Sequence, residues 1–386
     1  RVQLPLAALA AVALAWLPFL KHARNRLLSG QPIGLAGAVE AAGALPTAAL
    51  AMAGALLLVP VLRPGHVWAR WAGLAGAGMT VAAALGVAGA ASTTLAASGS
   101  GSARTSLAGG AWLLIGVVLL MASDLSRRLQ LSRLGAVAAA AVVIGPPVAL
   151  MASGALRNMS LALELGAQRD AFLAALEQHV FLVLGALVPA LLAGLPLGVA
   201  AQRVAGVRRV AFPVLNLIQT VPSIALFGLL IGPLSALAGA APWLGRLGVA
   251  GVGPAPAILA LVLYSLLPIV RNTVEGLDGV PRAVRDAARG MGMTGRQAFW
   301  QVEAWLALPV VLSGLRITAV QAVGLAAVSA LIGAGGFGAI IFQGLFANAL
   351  DLVLLGTLPV IALAVAVDAL FRALAGLARG AIGADS

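Results

Sequence analysis

Residues 286–309 read DAARGMGMTGRQAFWQVEAWLALP, a polar segment inside a chain that is otherwise strongly apolar. The segment carries both acidic and basic side chains and several glycines before it reaches Leu308–Pro309. Charged groups are costly inside the hydrocarbon layer of a bilayer. We therefore expect this segment to project into water between two membrane spans.

The composition of the whole chain sets the fold class. Hydrophobic residues make up 61% of the 386 residues and charged residues 9%, and the mean hydropathy is +1.05. Soluble domains are about half apolar and about a quarter charged. A membrane-crossing helix needs about 18 or more apolar residues, and many runs here reach that length. The composition predicts an all-α fold, a polytopic transmembrane helical bundle, because a β-barrel shows short alternating segments instead.

The apolar runs predict about ten spans in this bundle. They are Leu4–Leu20, Ala44–Leu62, Val67–Ala91, Ala108–Met121, Leu134–Ala152, Val180–Ala201, Phe212–Leu230, Ala255–Val270, Pro309–Ile332 and Leu352–Leu374.

The net charge of +12 does not indicate nucleic-acid binding, because the arginines are scattered between apolar runs. Cytoplasmic loops of membrane proteins carry an excess of basic residues. With the quoted segment placed in the cytoplasm, the cytoplasmic loops hold more than twice as many basic residues as the external loops. The external cluster Lys21, Arg24 and Arg26 is the exception, so the orientation of the first span stays open.

Several kinds of site are excluded or disfavoured by residue counts. There is no cysteine, so the chain has no disulfide and no thiolate metal site. His22, His66 and His179 lie far apart in the sequence, and we predict that each is an interfacial or loop residue and that none binds a metal. The single lysine, Lys21, has no glycine before it, whereas a P-loop needs a glycine-rich segment ending in lysine.

The polar features are unevenly distributed, which predicts four regions. Residues 1–155 form an N-terminal extension of about five spans with few polar side chains. Residues 156–178 form an amphipathic external linker. Residues 179–376 form a core that contains a cytoplasmic loop at 271–308, and residues 377–386 form a C-terminal tail.

The cytoplasmic loop has the pattern of two short helices joined by a glycine turn. Pro281 suits a first helical turn, and apolar residues recur behind it at three- and four-residue spacing. Gly290 and Gly292 break this helix, and Thr294 with Gln297 forms a capping box for a second helix. A short amphipathic helix needs a surface to pack on. That surface is either the lipid headgroup layer or a groove on a soluble partner.

The segment resembles the EAA loop of permeases of ATP-binding-cassette (ABC) importers. Asp286, Ala287, Ala288, Gly292 and Val302 fill successive positions of that pattern. Aspartate replaces the usual glutamate at 286, which keeps the charge. The expected Leu-Pro pair falls on residues 304–305, whereas this chain has Leu-Pro at 308–309.

Three further stretches resemble permeases of osmoprotectant importers, which carry glycine betaine, choline or proline betaine. They are LNLIQTVPSIALFGLL at 215–230, LVLYSLLPIVRNTVEGL at 261–277 and LIGAGGFGAIIFQGL at 331–345. The resemblance covers about residues 177–376, and the N-terminal spans look like those of the longer permeases of this group.

This resemblance implies a type I importer permease core in the bacterial cytoplasmic (inner) membrane. It implies a second permease, as a homodimer or heterodimer, two cytoplasmic ABC ATPase subunits, and a periplasmic or lipid-anchored substrate-binding protein. ATP and Mg²⁺ then belong to the ATPases, so this chain is not an enzyme and carries no cofactor. The resemblance also implies which residues couple the ATPases to the permease through the 281–305 loop. They are Asp286, Ala287, Ala288, Gly290, Gly292 and Thr294.

Two other groups of residues are candidates for the transport path. Asn216, Gln219, Thr220 and Ser223 have the spacing of one helix face, and they either line the path or bond neighbouring helices. Pro222 is expected to kink that helix. The glycines of IGAGGFG, namely Gly333, Gly335, Gly336 and Gly338, predict a tight turn that serves either as a hinge or gate or for close packing.

Alternative functions remain open at this stage. The same architecture also suits a permease for another small solute, such as an amino acid. An ion-coupled secondary transporter needs acidic residues at mid-membrane depth, but Asp351 and Asp368 fall near span ends. A purely structural membrane anchor has no use for the coupling pattern. Tyr264 is the only tyrosine and no aromatic cage is visible, so a quaternary ammonium group is expected to be selected on the binding protein.

Overall fold

The computed structural model describes residues 2–25, 30–97, 103–246 and 248–381, and over these residues the protein is mainly helical. Arg26 of the predicted external cluster and residues 382–386 of the predicted tail lie outside the described residues. The chain separates into two compact units, residues 1–167 and 168–386.

The first unit contains seven α-helices and three short strands over its described residues. The helices are α1 Gln3–Trp16, α2 Leu35–Ala42, α3 Ala44–Leu62, α4 Val67–Ala97, α5 Gly109–Arg128, α6 Arg133–Ala152 and α7 Ser160–Ala167. The strands are β1 Leu20–Ala23, β2 Gln31–Ile33 and β3 Arg104–Leu107.

Helix α4 lies at the centre of the first unit. Its buried face carries Leu74, Ala77 and Ala88, which pack in one apolar cluster with Met121 and Leu125 of α5. Small residues on α4 allow neighbouring backbones to approach closely. At Gly76, a Cβ atom would lie 2.4 Å from the backbone nitrogen of Leu57. No larger residue fits at this crossing of α3 and α4.

The three strands form an antiparallel sheet in the order β2-β1-β3, which the sequence did not predict. In its register Leu20 pairs with Ile33 and with Leu107. His22 contributes a side-chain contact, with its Nδ1 2.9 Å from Oγ1 of Thr105. The sheet explains why strand residues 20–23 do not extend the first helix.

The second unit contains ten α-helices over its described residues, with one π-helical and one 3₁₀ segment. They are α8 Arg169–Arg203, α9 Ala205–Thr220, α10 Ser223–Ala240, α11 Pro242–Arg246, α12 Pro254–Asp278, α13 Arg282–Gly290, α14 Gly295–Ala298, the π-helix Phe299–Glu303, α15 Ala304–Val328, the 3₁₀ helix Ser329–Ile332, α16 Phe337–Phe346 and α17 Leu350–Ala381.

The core of the second unit joins α8, α12 and α15. Leu182, Leu261 and Val323, one from each helix, are fully buried in a shared apolar cluster. Helix α12 ends at residue 278 and α15 begins at residue 304, so the packing of these helices fixes where the segment between them leaves the bundle.

Nine helices in the described part of the chain are long and apolar enough to cross a membrane, one fewer than predicted. The first predicted span, Leu4–Leu20, is wrong in extent: α1 has only 14 residues, and the chain then turns into β1. At about 1.5 Å per residue, α1 is shorter than the ~30 Å hydrocarbon layer.

Two further boundaries differ from the predictions. The predicted span Phe212–Leu230 is divided between α9 and α10, and the candidate span there is Ser223–Ala240. The predicted linker 156–178 contains α7 and the first turns of α8, a helix of 35 residues that continues as a candidate span.

Candidate functional site

Helix α13 carries the aspartate and two alanines of the EAA-like pattern and ends in a Schellman motif. The backbone N–H of Gly292 donates to the carbonyl of Arg289 (2.9 Å), and that of Met293 donates to the carbonyl of Ala288 (3.2 Å). These two bonds satisfy carbonyls at the helix end. They require a left-handed backbone conformation at the residue that follows the helix cap. Gly292 supplies it with φ of +80°. Gly290 is the last helical residue, so only Gly292 is required for the break.

The predicted capping box of the next helix is confirmed. The backbone N–H of Gln297 donates to Oγ1 of Thr294 (3.3 Å), and the backbone N–H of Thr294 donates to Oε1 of Gln297 (2.8 Å). Helix α14 then continues through the π-helix into α15. The displaced Leu308–Pro309 pair therefore lies inside a continuous helix, and the predicted loop 271–308 includes the end of α12 and the start of α15.

One face of α13 presents an apolar ridge, which we define as Ala283, Ala287 and Met291. All three side chains are exposed, and that of Met291 is 70% exposed. Their four-residue spacing places them on one helix face. Ala288, by contrast, is buried toward the bundle. The ridge borders the exposed charges Asp286 and Arg289, which are only weakly paired at 4.0 Å.

Helix α13 is tied to both membrane helices that flank it. The guanidinium of Arg285 donates to the backbone carbonyl of Leu277 on α12. The same side chain forms an ion pair with Glu303 of the π-helix, with Nε and Oε1 separated by 3.9 Å. Both side chains are about one-fifth exposed, so water screens this pair less than an exposed one. Arg285 therefore links the short helix to α12 and, through Glu303, to α15.

Asp278, the last residue of α12, forms a second link at the base of the segment. Its carboxylate accepts hydrogen bonds from Nε2 of Gln202 (3.3 Å) and from Nη1 of Arg208 (3.2 Å). The guanidinium of Arg203 also lies over the ring of Phe299, 4.7 Å from its centroid. The end of α8 therefore contacts both Asp278 and Phe299, and the start of α9 contacts Asp278.

The predicted polar face at 216–223 is wrong as a single helix face, because the helix breaks at Val221–Pro222. Asn216, Gln219 and Thr220 lie on α9, whereas Ser223 is the first residue of α10. Val221 has an extended backbone conformation, so the proline accompanies a full break and not the kink that we expected.

The only tyrosine stabilises this break. The phenol of Tyr264 donates to the backbone carbonyl of Val221, and Nε2 of Gln219 donates to the backbone carbonyl of Tyr264 (2.8 Å). The hydroxyl of Thr220 bonds within its own helix, to the carbonyl of Leu217 (2.7 Å). Gln219 therefore has a structural bond between helices, while Asn216 is exposed.

The predicted glycine turn is present between α15 and α16. Gly333, Gly335 and Gly336 have φ of +80°, +79° and +71°. Gly338 is instead the second residue of α16, where a Cβ atom would lie 1.8 Å from the carbonyl oxygen of Ala327. The turn thus has left-handed glycines, and the close helix approach follows it in α16; the role of the turn as a hinge or gate stays a prediction.

The turn is held by two side chains from α8. Nε2 of Gln178 donates to the carbonyl of Ala334 (2.9 Å). His179, predicted as an interfacial or loop residue, is instead fully buried: its Nε2 lies 3.1 Å from the carbonyl of Val323, and its ring lies 5.4 Å from that of Phe337. These contacts support the packing interpretation of the turn.

The side chains that sequence reasoning missed all act over long separations in the chain. Arg285 with Glu303, Asp278 with Arg208, and Tyr264 with Val221 are joined only by the fold. Among the described residues, no group of three or more His, Asp or Glu side chains is placed to hold a metal ion.

Comparison with known proteins divides the chain in two. Residues 1–162 match the family model described as the N-terminal domain of the ABC transporter permease YehY. Residues 178–379 match the model described as the inner membrane component of binding-protein-dependent transport systems. The second match covers more than half of the chain and includes α13 and its flanking helices.

Relatives of the second unit carry related names. The chain is 42% identical over 200 residues to the osmoprotectant import permease protein OsmW of Salmonella typhimurium, covering 51% of this chain and 86% of that protein. It is 38% identical over 191 residues to the carnitine transport permease protein OpuCB of Listeria monocytogenes, covering 50% of this chain and 80% of that protein.

A solved structure of the MetNI methionine ABC transporter in an inward-facing conformation is more distant. It has 22% sequence identity and a TM-score of 0.46, over 54% of this chain and 97% of that one. The family match, the multi-pass helical fold and the EAA-like segment agree: the chain belongs to the ABC transporter permeases, the inner membrane components of binding-protein-dependent transport systems.

Proposed function

We propose that this chain is the permease subunit of an ABC importer that takes up a betaine-type compatible solute. ATP hydrolysis on a partner subunit is coupled to the permease through residues 281–305. The observation that carries this proposal is α13, a short helix with an exposed apolar ridge and fixed attachments to two membrane helices.

The attachments of α13 are suited to transmitting movement. A partner that grips the ridge displaces α13, and Arg285 carries the displacement to Leu277 of α12 and Glu303 before α15. The Schellman motif at Gly292 fixes the angle between the two arms of the segment. A flexible loop would absorb such a movement, whereas a braced helix passes it to the bundle.

The partners follow from this arrangement and from the family. Two cytoplasmic ABC ATPases hold ATP and Mg²⁺ and bind the ridge. The coupling residues are Asp286, Ala287, Ala288, Gly290, Gly292 and Thr294. A second permease completes the pore, and a periplasmic or lipid-anchored binding protein delivers the solute. The chain itself carries no cofactor and performs no catalysis.

The substrate class rests on the relatives, which are named for osmoprotectant and carnitine transport. Within the described core, the phenol of Tyr264 is already bonded to a backbone carbonyl and is not arranged as a cage wall. The quaternary ammonium group of a betaine is therefore selected by the binding protein, and the permease supplies the path.

Uptake into proteoliposomes tests this proposal. With this chain, its ATPase and its binding protein, labelled glycine betaine or choline is expected to accumulate when ATP is supplied, and an excess of a neutral amino acid is expected not to compete. An ATPase with its P-loop lysine replaced serves as the matched control and should give no uptake. Competition by the amino acid would favour a permease for another solute.

The same assay separates the importer from an ion-coupled transporter. Asp368 lies well inside α17 and not near a span end as predicted, but its carboxylate already pairs with Arg316 (3.4 Å) and Arg372 (2.5 Å). We expect uptake to continue when ionophores collapse the proton and sodium gradients. Uptake that needs a gradient and no ATPase would contradict the proposed function.

A further inference from the structure

The first unit contains a cavity at the end where α1 and α4 begin and α3 and α5 end. Its volume is about 290 Å³, close to the lower limit of ordinary small-molecule pockets. Its lining contains both polar and apolar side chains. The lining side chains that could contact a ligand's polar and apolar parts are Gln3, Leu4, Val61, Arg70, Leu125 and Arg128.

Two arginines form the polar side of this cavity. Nη1 of Arg70 donates to the backbone carbonyl of Arg128 (2.8 Å), while Nε of Arg70 is buried without a hydrogen-bond partner. Nε of Arg128 donates to Oδ2 of Asp124 (2.8 Å). Asp124 neutralises one of the two positive charges, so the pair of guanidinium groups keeps a net positive charge. An anion in the cavity would supply the missing acceptor for Arg70.

Gln3 contributes an unused acceptor to the same cavity. Its side chain is 93% removed from solvent, being 7% exposed, and its Nε2 donates to the carbonyl of Met121 (3.1 Å) and to Oδ2 of Asp124 (2.7 Å). Its Oε1 is buried without a partner. Buried polar atoms are nearly always hydrogen-bonded in folded proteins. The residues that line the cavity thus include an unpaired cation donor on Arg70 and an unpaired acceptor on Gln3.

We expect the cavity to lie near lipid headgroups, because it is at the ends of candidate membrane spans. Helices α3, α4 and α5 are candidate membrane spans, and the cavity opens at their ends. The same end carries Arg63 and the exposed Trp68, as expected at a membrane–water boundary. Basic pockets between spans on the cytoplasmic side are suited to anionic headgroups.

We propose that this cavity binds the phosphate group of an anionic glycerophospholipid whose headgroup carries hydroxyls, such as phosphatidylglycerol. The phosphate oxygens accept hydrogen bonds from Arg70 and Arg128, and a headgroup hydroxyl donates to Oε1 of Gln3. The upper part of an acyl chain packs on Leu4, Val61 and Leu125. Guanidinium groups bind phosphate strongly because their donors match its oxygens. The site does not depend on which solute the transporter carries.

Native mass spectrometry of the full-length chain tests the site, after exchange from detergent into nanodiscs. The probes are phosphatidylglycerol, phosphatidylcholine and, as soluble anions, glycerol phosphate and inorganic phosphate. We expect one phosphatidylglycerol to be retained in preference to phosphatidylcholine. Arg70→Gln should weaken retention by about tenfold or more, the size expected for a lost charge-assisted hydrogen bond. Arg63→Gln, an equal change of charge at an exposed residue that does not line the cavity, should leave retention unchanged.

A second variant distinguishes loss of the binding site from loss of folding. Leu4 is 65% exposed and lines the cavity, so Leu4→Trp fills the opening without altering charge or the buried core. It should abolish selective retention while thermal unfolding is unchanged. Equal losses in Arg70→Gln and Arg63→Gln would overturn the site, because only surface charge would then matter. Displacement of the lipid by inorganic phosphate at comparable concentration would identify a free anion as the ligand and overturn the lipid.

Discussion

Replacing Met291 with glutamate is expected to separate this permease from its ATPase without unfolding it. Met291 is the last member of the exposed ridge on α13, and its 70% exposure means that the permease fold does not depend on it. A methionine that fills a partner's groove contributes about 1.5–3 kcal/mol. A glutamate there also has to lose its hydration. We expect association to weaken by about 30-fold or more, equivalent to about 2 kcal/mol.

Binding of the purified ATPase to the permease in nanodiscs, followed by surface plasmon resonance, measures this effect. Met291→Leu keeps an apolar side chain of similar volume, so it should bind like the wild type. If Met291→Glu binds the ATPase as tightly as Met291→Leu does, the ridge is not the docking surface, and the headgroup-layer interpretation of α13 gains support.

The second large effect is expected at Gly338, where α16 crosses α15. A Cβ atom at Gly338 would lie 1.8 Å from the carbonyl oxygen of Ala327 and 2.8 Å from Cβ of Ala330. Both neighbours belong to backbone or to short side chains that cannot rotate away, so the helices must move apart. Overpacking of this kind costs about 1–3 kcal/mol and sometimes more. Gly338→Ala should therefore lower the temperature of thermal unfolding.

Gly324→Ala is the matched control for this crossing. Gly324 also lies in a helix, but a Cβ atom there meets nothing within 4 Å. Alanine should be neutral or stabilising by about 0.5–1 kcal/mol, because glycine weakens helices. Equal unfolding temperatures for the two variants would show that the close approach of α15 and α16 is not a real constraint.

Features that depend on neighbouring residues could be predicted from the sequence. The capping box of Thr294 and Gln297 and the turn at Gly292 follow from the chemistry of a few adjacent residues, and the structure has both. The membrane spans could be predicted because their length and composition are imposed by the bilayer.

Features that depend on tertiary contacts could not be predicted. The break at Val221–Pro222 is stabilised by Tyr264, which lies 43 residues away in the chain. Hydropathy does not register such a break, since apolar residues outnumber polar ones on both sides of Val221–Pro222 within Phe212–Leu230. Likewise α1 ends early because residues 20–23 pair with residues 31–33 and 104–107, and those strands are too short to have a periodic signature.

The candidate site, too, could be predicted from the sequence only in part. The pattern of Asp286, Ala287 and Ala288 marks α13 in the sequence, but nothing in the sequence shows which charges hold it. Arg285 looks like one of several arginines on an exposed helix, and its pairing with Glu303 appears only in the fold. The polarity of histidine predicts an interfacial position for His179, whereas a carbonyl and an aromatic ring accommodate it in the core.

The most direct test of coupling through residues 281–305 is ATP hydrolysis by the complete transporter in lipid, comparing wild type with Gly292→Asp. Gly292 has a left-handed backbone and lies beside the ridge, so aspartate adds a negative charge at the end of α13, where the helix dipole disfavours it. Gly292→Asn, which tolerates the left-handed conformation and adds no charge, is the matched control. We expect an ATPase to co-purify with the wild type, and we expect hydrolysis to fall by about tenfold or more in the aspartate variant alone. An ATPase that does not associate with the wild type, or an aspartate variant with wild-type hydrolysis, would contradict it.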